Sequence, residues 1–214
     1  MPARPDPRPL TGEPVSLDLL NTRWIHEGVT RDLLTDTEGL AVWLAGNGLD
    51  FPADDTVLRH TLEARDALRA AIDRPGGHGD TGPDESGPDG SSPDGEGPAA
   101  TGSPAAPPAP TPTRGVARVD AVLAHGRVRL TLTDRGPGET PEFDDPSWGP
   151  AWLAARDYLD LLATAPDRIR RCAHDACVLH FFDTSRNGTR RWCSMAACGN
   201  RAKASRHYAR TKES

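Results

Sequence analysis

Between Pro75 and Thr113 the chain runs for 39 residues without a single Val, Ile, Leu, Met, Phe, Trp or Tyr. Ordering a backbone costs about 1–2 kcal/mol per residue, and a run with nothing apolar to bury cannot offset that, so this segment is expected to be a disordered insertion. Of the 214 residues, roughly 175 are left to fold, enough for one medium domain or one domain with a small module. A large two-lobed enzyme is not expected at this size. The same segment holds 19 of the 42 Gly and Pro residues, so the overall apolar fraction of 36% understates the rest of the chain, whose composition is that of an ordinary globular protein.

Before the insertion the hydrophobic pattern is helical. Ser16 or Asp18 can open a short helix through Leu17, Leu20 and Trp24, and Thr35-Asp-Thr-Glu38 has the form of a capping box. Leu40, Trp43 and Leu44 then fall at helical spacing before Gly46 and Gly48. A longer helix is expected after Pro52, capped by Asp54 or Asp55, with Val57, Leu58, Leu62, Leu68 and Ile72 in one stripe and Arg59, Glu63 and Asp66 outside it. After the insertion, a short helix is expected around Val116 to Ala124. The alternation of Val128-Arg-Leu-Thr-Leu-Thr133 predicts a strand, half of a small hairpin. Pro150 suits the first turn of a helix with Trp152, Ala155, Leu159 and Leu162 on its face.

The N-terminus, Met-Pro-Ala-Arg-Pro-Asp-Pro-Arg-Pro, lacks the apolar core of a signal peptide, and no stretch approaches the ~18 apolar residues of a membrane span. The expectation is a soluble cytoplasmic protein with a flexible arm over residues 1–13. In a reducing cytosol, four cysteines confined to residues 172–198 point to a metal rather than to disulfides. Charge is divided just as unevenly. Residues 167–214 carry 11 Lys/Arg against 4 Asp/Glu, a local +7, which leaves −13 on the remainder of a chain of net charge −6. A basic tail on an acidic body points to a polyanion such as nucleic acid, with a solvated basic face as the alternative.

The cysteines are spaced Cys172-x4-Cys177-x15-Cys193-x4-Cys198, two pairs separated by a loop of the length found in structural zinc sites. Four thiolates at tetrahedral corners close the first coordination shell, so one structural Zn2+ is expected, with Cys172, Cys177, Cys193 and Cys198 as ligands. His174 and His180 are the rival ligands. His180-Phe-Phe-Asp and Arg190-Arg-Trp-Cys193 read as strands joined through Asn187-Gly188, a preferred hairpin turn. A knuckle, a hairpin and a last ligand pair entering a helix make a treble clef.

At this point the chain resembles a known family. Arg-Arg-Trp-Cys-Ser-Met-Ala-Ala-Cys-Gly-Asn-Arg-Ala-Lys, residues 190 to 203, is similar to the signature of the CGNR zinc-finger family, named for the tetrapeptide at Cys198 to Arg201, and Phe182-Asp-Thr-Ser-Arg-Asn187 fits that family's hairpin. The resemblance implies an N-terminal helical domain of the ABATE type, which opens with a segment similar to Leu17-Asp-Leu-Leu-Asn-Thr22. Members are regarded as stress-induced transcription regulators of bacteria. The implied fold is mainly α: a helical ABATE-like domain over residues 14–165 with a small β element and the 75–113 insertion, followed by a treble-clef-like zinc finger over 166–214.

A helix capped by Ser194 would carry Lys203, Arg206, His207 and Arg210 within about 100° of one another, with Asn200 at the edge of that face. Long cations in such a stripe neutralise phosphates, and an amide can pair with an adenine edge. Arg186, Arg190 and Arg191 add charge on the hairpin, so DNA is the expected partner. Arg201 points away from the stripe and is expected to hydrogen-bond main-chain carbonyls of the finger. An RNA-binding or protein-interaction finger is the alternative, and a nuclease with His180 as general base is a third reading that lacks ligands for its second metal. In the N-terminal domain, Asn21, Thr22, Arg23 and Trp24 could line a pocket for an unknown small molecule, or form a helix cap and a core Trp. Gly-rich phosphate loops, nucleophile elbows and His-Glu-x-x-His are all missing, so no enzyme is expected.

Overall fold

The structure, a computed structural model, describes residues 4–73 and 113–204. The expected disorder of residues 75–113 therefore concerns a segment that, apart from Thr113, lies outside the described residues. The α-helices and the three two-stranded antiparallel sheets of the described residues follow in the order α1 (Val15–Leu20), β1 (Arg23–His26), β2 (Val29–Asp32), α2 (Thr37–Gly46), α3 (Asp55–Ile72), α4 (Arg114–Leu123), β3 (Gly126–Thr133), β4 (Gly136–Phe143), α5 (Gly149–Thr164), β5 (Ile169–Arg171) and β6 (His180–Phe182). The expected mainly α fold with small β elements is the one found. No helix of the described residues is long and apolar enough to cross a membrane.

Helix α3 is the axis of the body. Asp54 caps it as expected, its carboxylate accepting from the N–H groups of Thr56 and Val57, and Arg59, Glu63 and Asp66 lie outside the buried stripe. That stripe is centred on Val57, Thr61, Ala64 and Leu68, because α1, α4 and α5 pack around α3 on more than one side. Leu58, Leu62 and Ile72 sit at its margins, only half-buried. Gly115 lets α4 lie directly against α3, since a Cβ there would enter the Ala70 carbonyl. On α5 the inward face is Ala151, Trp152, Ala155 and Tyr158; Leu159, expected on that face, is exposed.

The short elements depart further from the pattern. Helix α1 ends where the Asn21 N–H returns to the Leu17 carbonyl and the Thr22 hydroxyl donates to Leu19, so Trp24 belongs to a strand and not to the helix. The β1–β2 hairpin turns at Glu27-Gly28, both residues at positive φ. Cap assignment at α2 moves by one residue: Asp36, not Thr35, accepts the Gly39 N–H. The segment expected as a flexible arm is tied down from Asp6 onward. The Arg8 guanidinium, about 1% exposed, meets the equally buried Asp18 carboxylate at 2.6 Å, and Asp18 also accepts from Asn47 and from the Gly12 N–H.

Candidate metal centre and finger surface

The strand before the first cysteine and the strand after the second pair with each other. Ile169 faces Phe182 and Arg171 faces His180, so β5 and β6 form the finger's hairpin and the knuckle between them carries Cys172 and Cys177. Residues 190–193, expected as the partner of β6, form no strand. Asp183 is the reason: it is fully buried, and its carboxylate accepts from the Ser185 N–H at 2.8 Å and the Arg190 N–H at 2.9 Å, satisfying donors that a ladder would otherwise take. At the Asn187-Gly188 turn only Gly188 has positive φ. The last ligand pair enters a helix as expected. Ser194 caps it by accepting from the Ala197 N–H, but its first turn, Met195–Gly199, is a π-helix in which the Gly199 N–H reaches the Ser194 carbonyl.

These elements bring the sulfurs of Cys172, Cys177, Cys193 and Cys198 within 4.8 Å of one another, all buried. Cys177 and Cys193 are 3.8 Å apart at Sγ, and Cys193 and Cys198 are 3.6 Å apart. A metal–sulfur bond of about 2.3 Å in a regular tetrahedron sets sulfurs about 3.8 Å apart, so the cluster has the dimensions of a closed tetrathiolate shell. So close together, the thiols compete for protons. Hydrogen bonds from Cys177 and Cys193 hold the Cys172 thiol far below its usual range; the proton shared with Cys172 pushes Cys177 up to about 12 and Cys193 higher still. One sulfur gains charge only where its neighbours keep protons, and a central dication removes that conflict. The Cys193 N–H approaches Cys172 Sγ at 3.5 Å, and Arg201 donates to Cys198 Sγ at 3.3 Å. The expectation that Arg201 binds main-chain carbonyls is thus replaced: it braces a ligand sulfur instead.

The rival histidines lie outside the cluster. His174 Nδ1 accepts from the Ala176 N–H. The His180 ring is buried against the body, its Nε2 3.5 Å from the Asp73 carboxylate, where a general base would meet neither solvent nor substrate.

The other expected site residues separate into two groups. Arg186, Arg191, Asn200 and Lys203 are exposed, and none of the three cations has a carboxylate partner among the described residues; Arg191 also lies over the Trp192 ring, 5.4 Å from its centroid. Arg190 turns inward. Its Nη2 donates to the Cys193 carbonyl at 2.6 Å and its Nε to the Trp192 carbonyl, the guanidinium covers Phe181, and Glu13 stands 3.5 Å away. Arg206, His207 and Arg210 lie outside the described residues.

In the N-terminal domain, Asn21 and Thr22 are fully buried with protein partners. Asn21 bonds the backbone of His180, and Thr22 accepts from Arg65 at 2.9 Å. Arg23 reaches Asp32 at 3.3 Å, the carboxylate that Arg65 grips with two bonds of 2.7 and 2.9 Å. Trp24 lines a cavity. With Ile25, Leu179 and Arg201 it borders a groove of about 460 Å³ that runs between the β1–β2 hairpin and the finger, past Cys177, Cys193 and Cys198. The residues missed by sequence reasoning, Asp183, Glu13 and Arg65, are charged side chains in buried or half-buried places; each is legible only once its partner's position is known.

Comparison with known families agrees with this layout. Residues 13–165 match the ABATE family, described as a "putative stress-induced transcription regulator", and residues 168–211 match the CGNR zinc finger. No curated protein matches the chain.

Proposed function

The chain belongs to the ABATE family and carries a CGNR zinc finger, and from that premise we propose that it is a zinc-dependent, DNA-binding transcription regulator. The observation that carries the reading is the finger's division of labour. Four buried cysteines and the inward Arg190 build a rigid module, while Arg186, Arg191 and Lys203 stay exposed and free of carboxylates among the described residues. One Zn2+ held by Cys172, Cys177, Cys193 and Cys198 supplies cross-linking and no open coordination position, so its role is structural. The exposed cations, continued in sequence by Arg206, His207 and Arg210, would neutralise phosphates, and Asn200 would read a base edge.

The N-terminal domain is the proposed sensory part. Its ligand would occupy the groove beside Trp24 and Arg201, since this cavity is walled by both the domain and the finger and a molecule there would touch the two at once. Asn21, Thr22 and Arg23 serve the proposal only as its support, because their polar atoms are engaged by protein. Both families are described by regulation and metal binding, not by catalysis.

The test is DNA binding by the full chain across a salt series, with and without zinc. Affinity that falls linearly on a log–log salt plot and vanishes on chelation supports the reading; binding that ignores salt, or survives complete zinc removal, refutes it.

A further inference from the structure

The β3–β4 hairpin is built unlike the rest of the molecule. At its base, Phe143 packs edge-on against Trp152 and Phe51. Farther out, Glu139 reaches Arg156 at 3.8 Å, and on the same face its cross-strand partner Leu130 and, beyond it, Leu132 stand 76% and 84% exposed. Strict alternation of apolar and polar residues marks a strand with one face covered, and here nothing among the described residues covers Leu130 and Leu132.

The open edge is equally one-sided. Thr133 and Gly136 flank a two-residue turn and so form a hydrogen-bonded pair; alternation from there makes Val128–Pro141, Leu130–Glu139 and Leu132–Pro137 non-hydrogen-bonded pairs. The Asp144 N–H to His125 carbonyl bond at the base fits the same alternation. Val128, Leu130 and Leu132 therefore point their N–H and C=O groups outward from β3. On the outer edge of β4 the corresponding positions are Pro137, Glu139 and Pro141, two of which have no N–H to offer. Prolines on one edge are a common protection against strand addition; the β3 edge has none.

We propose that the β3 edge pairs with the β3 edge of a second copy of this chain, giving a two-fold symmetric dimer with a four-stranded antiparallel sheet. Only pairs between outward-pointing residues complete the ladder, and a two-fold axis at Leu130 sets Leu130 against its own copy and Val128 against Leu132. On the opposite face the same register sets Arg129 against Thr131 and Arg127 against Thr133, so no like charges meet, and both arginines are already neutralised by Glu142 and Asp144. A register centred one residue earlier would oppose Arg129 to its copy. The segments outside the described residues offer little to cover it: residues 74–112 contain no large apolar side chain, residues 1–3 only Met1 and residues 205–214 only Tyr208. A symmetric, self-complementary interface is the form that closed homodimers take.

Sedimentation equilibrium of the full zinc-loaded chain tests this. The wild type is expected to be a dimer at micromolar concentration, and Leu130→Pro, which removes one outward N–H, and Leu130→Lys, which puts like charges on the axis, are each expected to weaken association at least tenfold with zinc content retained. If the proline variant fails to fold, the lysine variant alone decides. A monomeric wild type, including one that takes up an unrelated extended peptide at this edge, overturns the proposal, as does a dimer untouched by Leu130→Lys.

Discussion

The side-chain amide of Asn21 behaves as a strand neighbour to His180: Nδ2 donates to the His180 carbonyl at 2.8 Å, and Oδ1 accepts the His180 N–H at 2.9 Å. Both groups are buried, and the two residues are 159 positions apart. This pair, with the Phe182 N–H bonded to Glu13 at 2.8 Å, fastens the finger's hairpin to the N-terminal domain.

Asn21→Ala should therefore strip two buried backbone groups of their partners. Leaving a buried donor or acceptor unsatisfied costs about 1–3 kcal/mol each, so a loss of roughly 2–6 kcal/mol is expected in denaturant unfolding. Asn21→Asp should lose nearly as much, because a carboxylate keeps the acceptor but faces a carbonyl. An unchanged midpoint would show that water replaces the amide.

Zinc removal should unfold the finger and leave the helical body standing. A structural zinc contributes on the order of 10–16 kcal/mol of apparent binding energy, and the finger's apolar core is small. Elemental analysis is expected to give one zinc per chain, and Cys177→Ser a small fraction of that. Zinc should also dissociate as pH falls, since every thiolate ligand competes with a proton.

Stability at acid pH should depend on Asp32. Burial alone would raise its pKa, but the two bonds and the charge of Arg65 outweigh it and hold the carboxyl below its ordinary value. A folded pKa below the unfolded one contributes stability that is present above the unfolded value, about 3.9, and is lost as pH falls through the folded value. The stability gap between wild type and Asp32→Asn should be constant near neutrality and narrow below about pH 4. Denaturant midpoints measured from about pH 7 down to about pH 2.5 give the comparison; a gap that widens on acidification would contradict it.

How much of this is legible in the sequence depends on range. The cap at Asp54, the core of Leu40, Trp43 and Leu44, the β3 strand and the cysteine spacing are encoded within a few residues, and each is found in place. The β1–β2 hairpin escapes such reading because Glu27-Gly28 lacks the Asn or Asp that announces such a turn, and its strands are four residues long. The pairing of β6 is illegible for a different reason. Arg190-Arg-Trp-Cys193 has strand-like composition, but the Asp183 carboxylate takes the N–H groups nearby and β6 finds β5 across the knuckle. Composition cannot separate Arg190 from Arg191 either; the partners that do so are Cys193 and Glu13, one close by and one far away in sequence.

Arg190 and Arg191 should consequently differ in what their removal does, although one peptide bond separates them. Arg190 bonds the Cys193 and Trp192 carbonyls and covers Phe181, so Arg190→Ala should lower the finger's thermal stability and its zinc retention whether or not nucleic acid is present. Among the described residues, Arg186 has no such internal duty, and Arg191 only its looser approach to the Trp192 ring. Their replacement by Ala should leave zinc content unchanged and reduce the slope of log affinity against log salt by roughly 0.9 for each phosphate no longer neutralised. Lys203→Glu should act in the same direction, while Asn200→Ala should spare the slope and relax sequence preference by about 1–3 kcal/mol if its amide reads a base. If Arg186, Arg191 and Lys203 can all be neutralised without changing either the slope or the affinity, the exposed cations are only a solvated face and the finger's partner must be sought elsewhere.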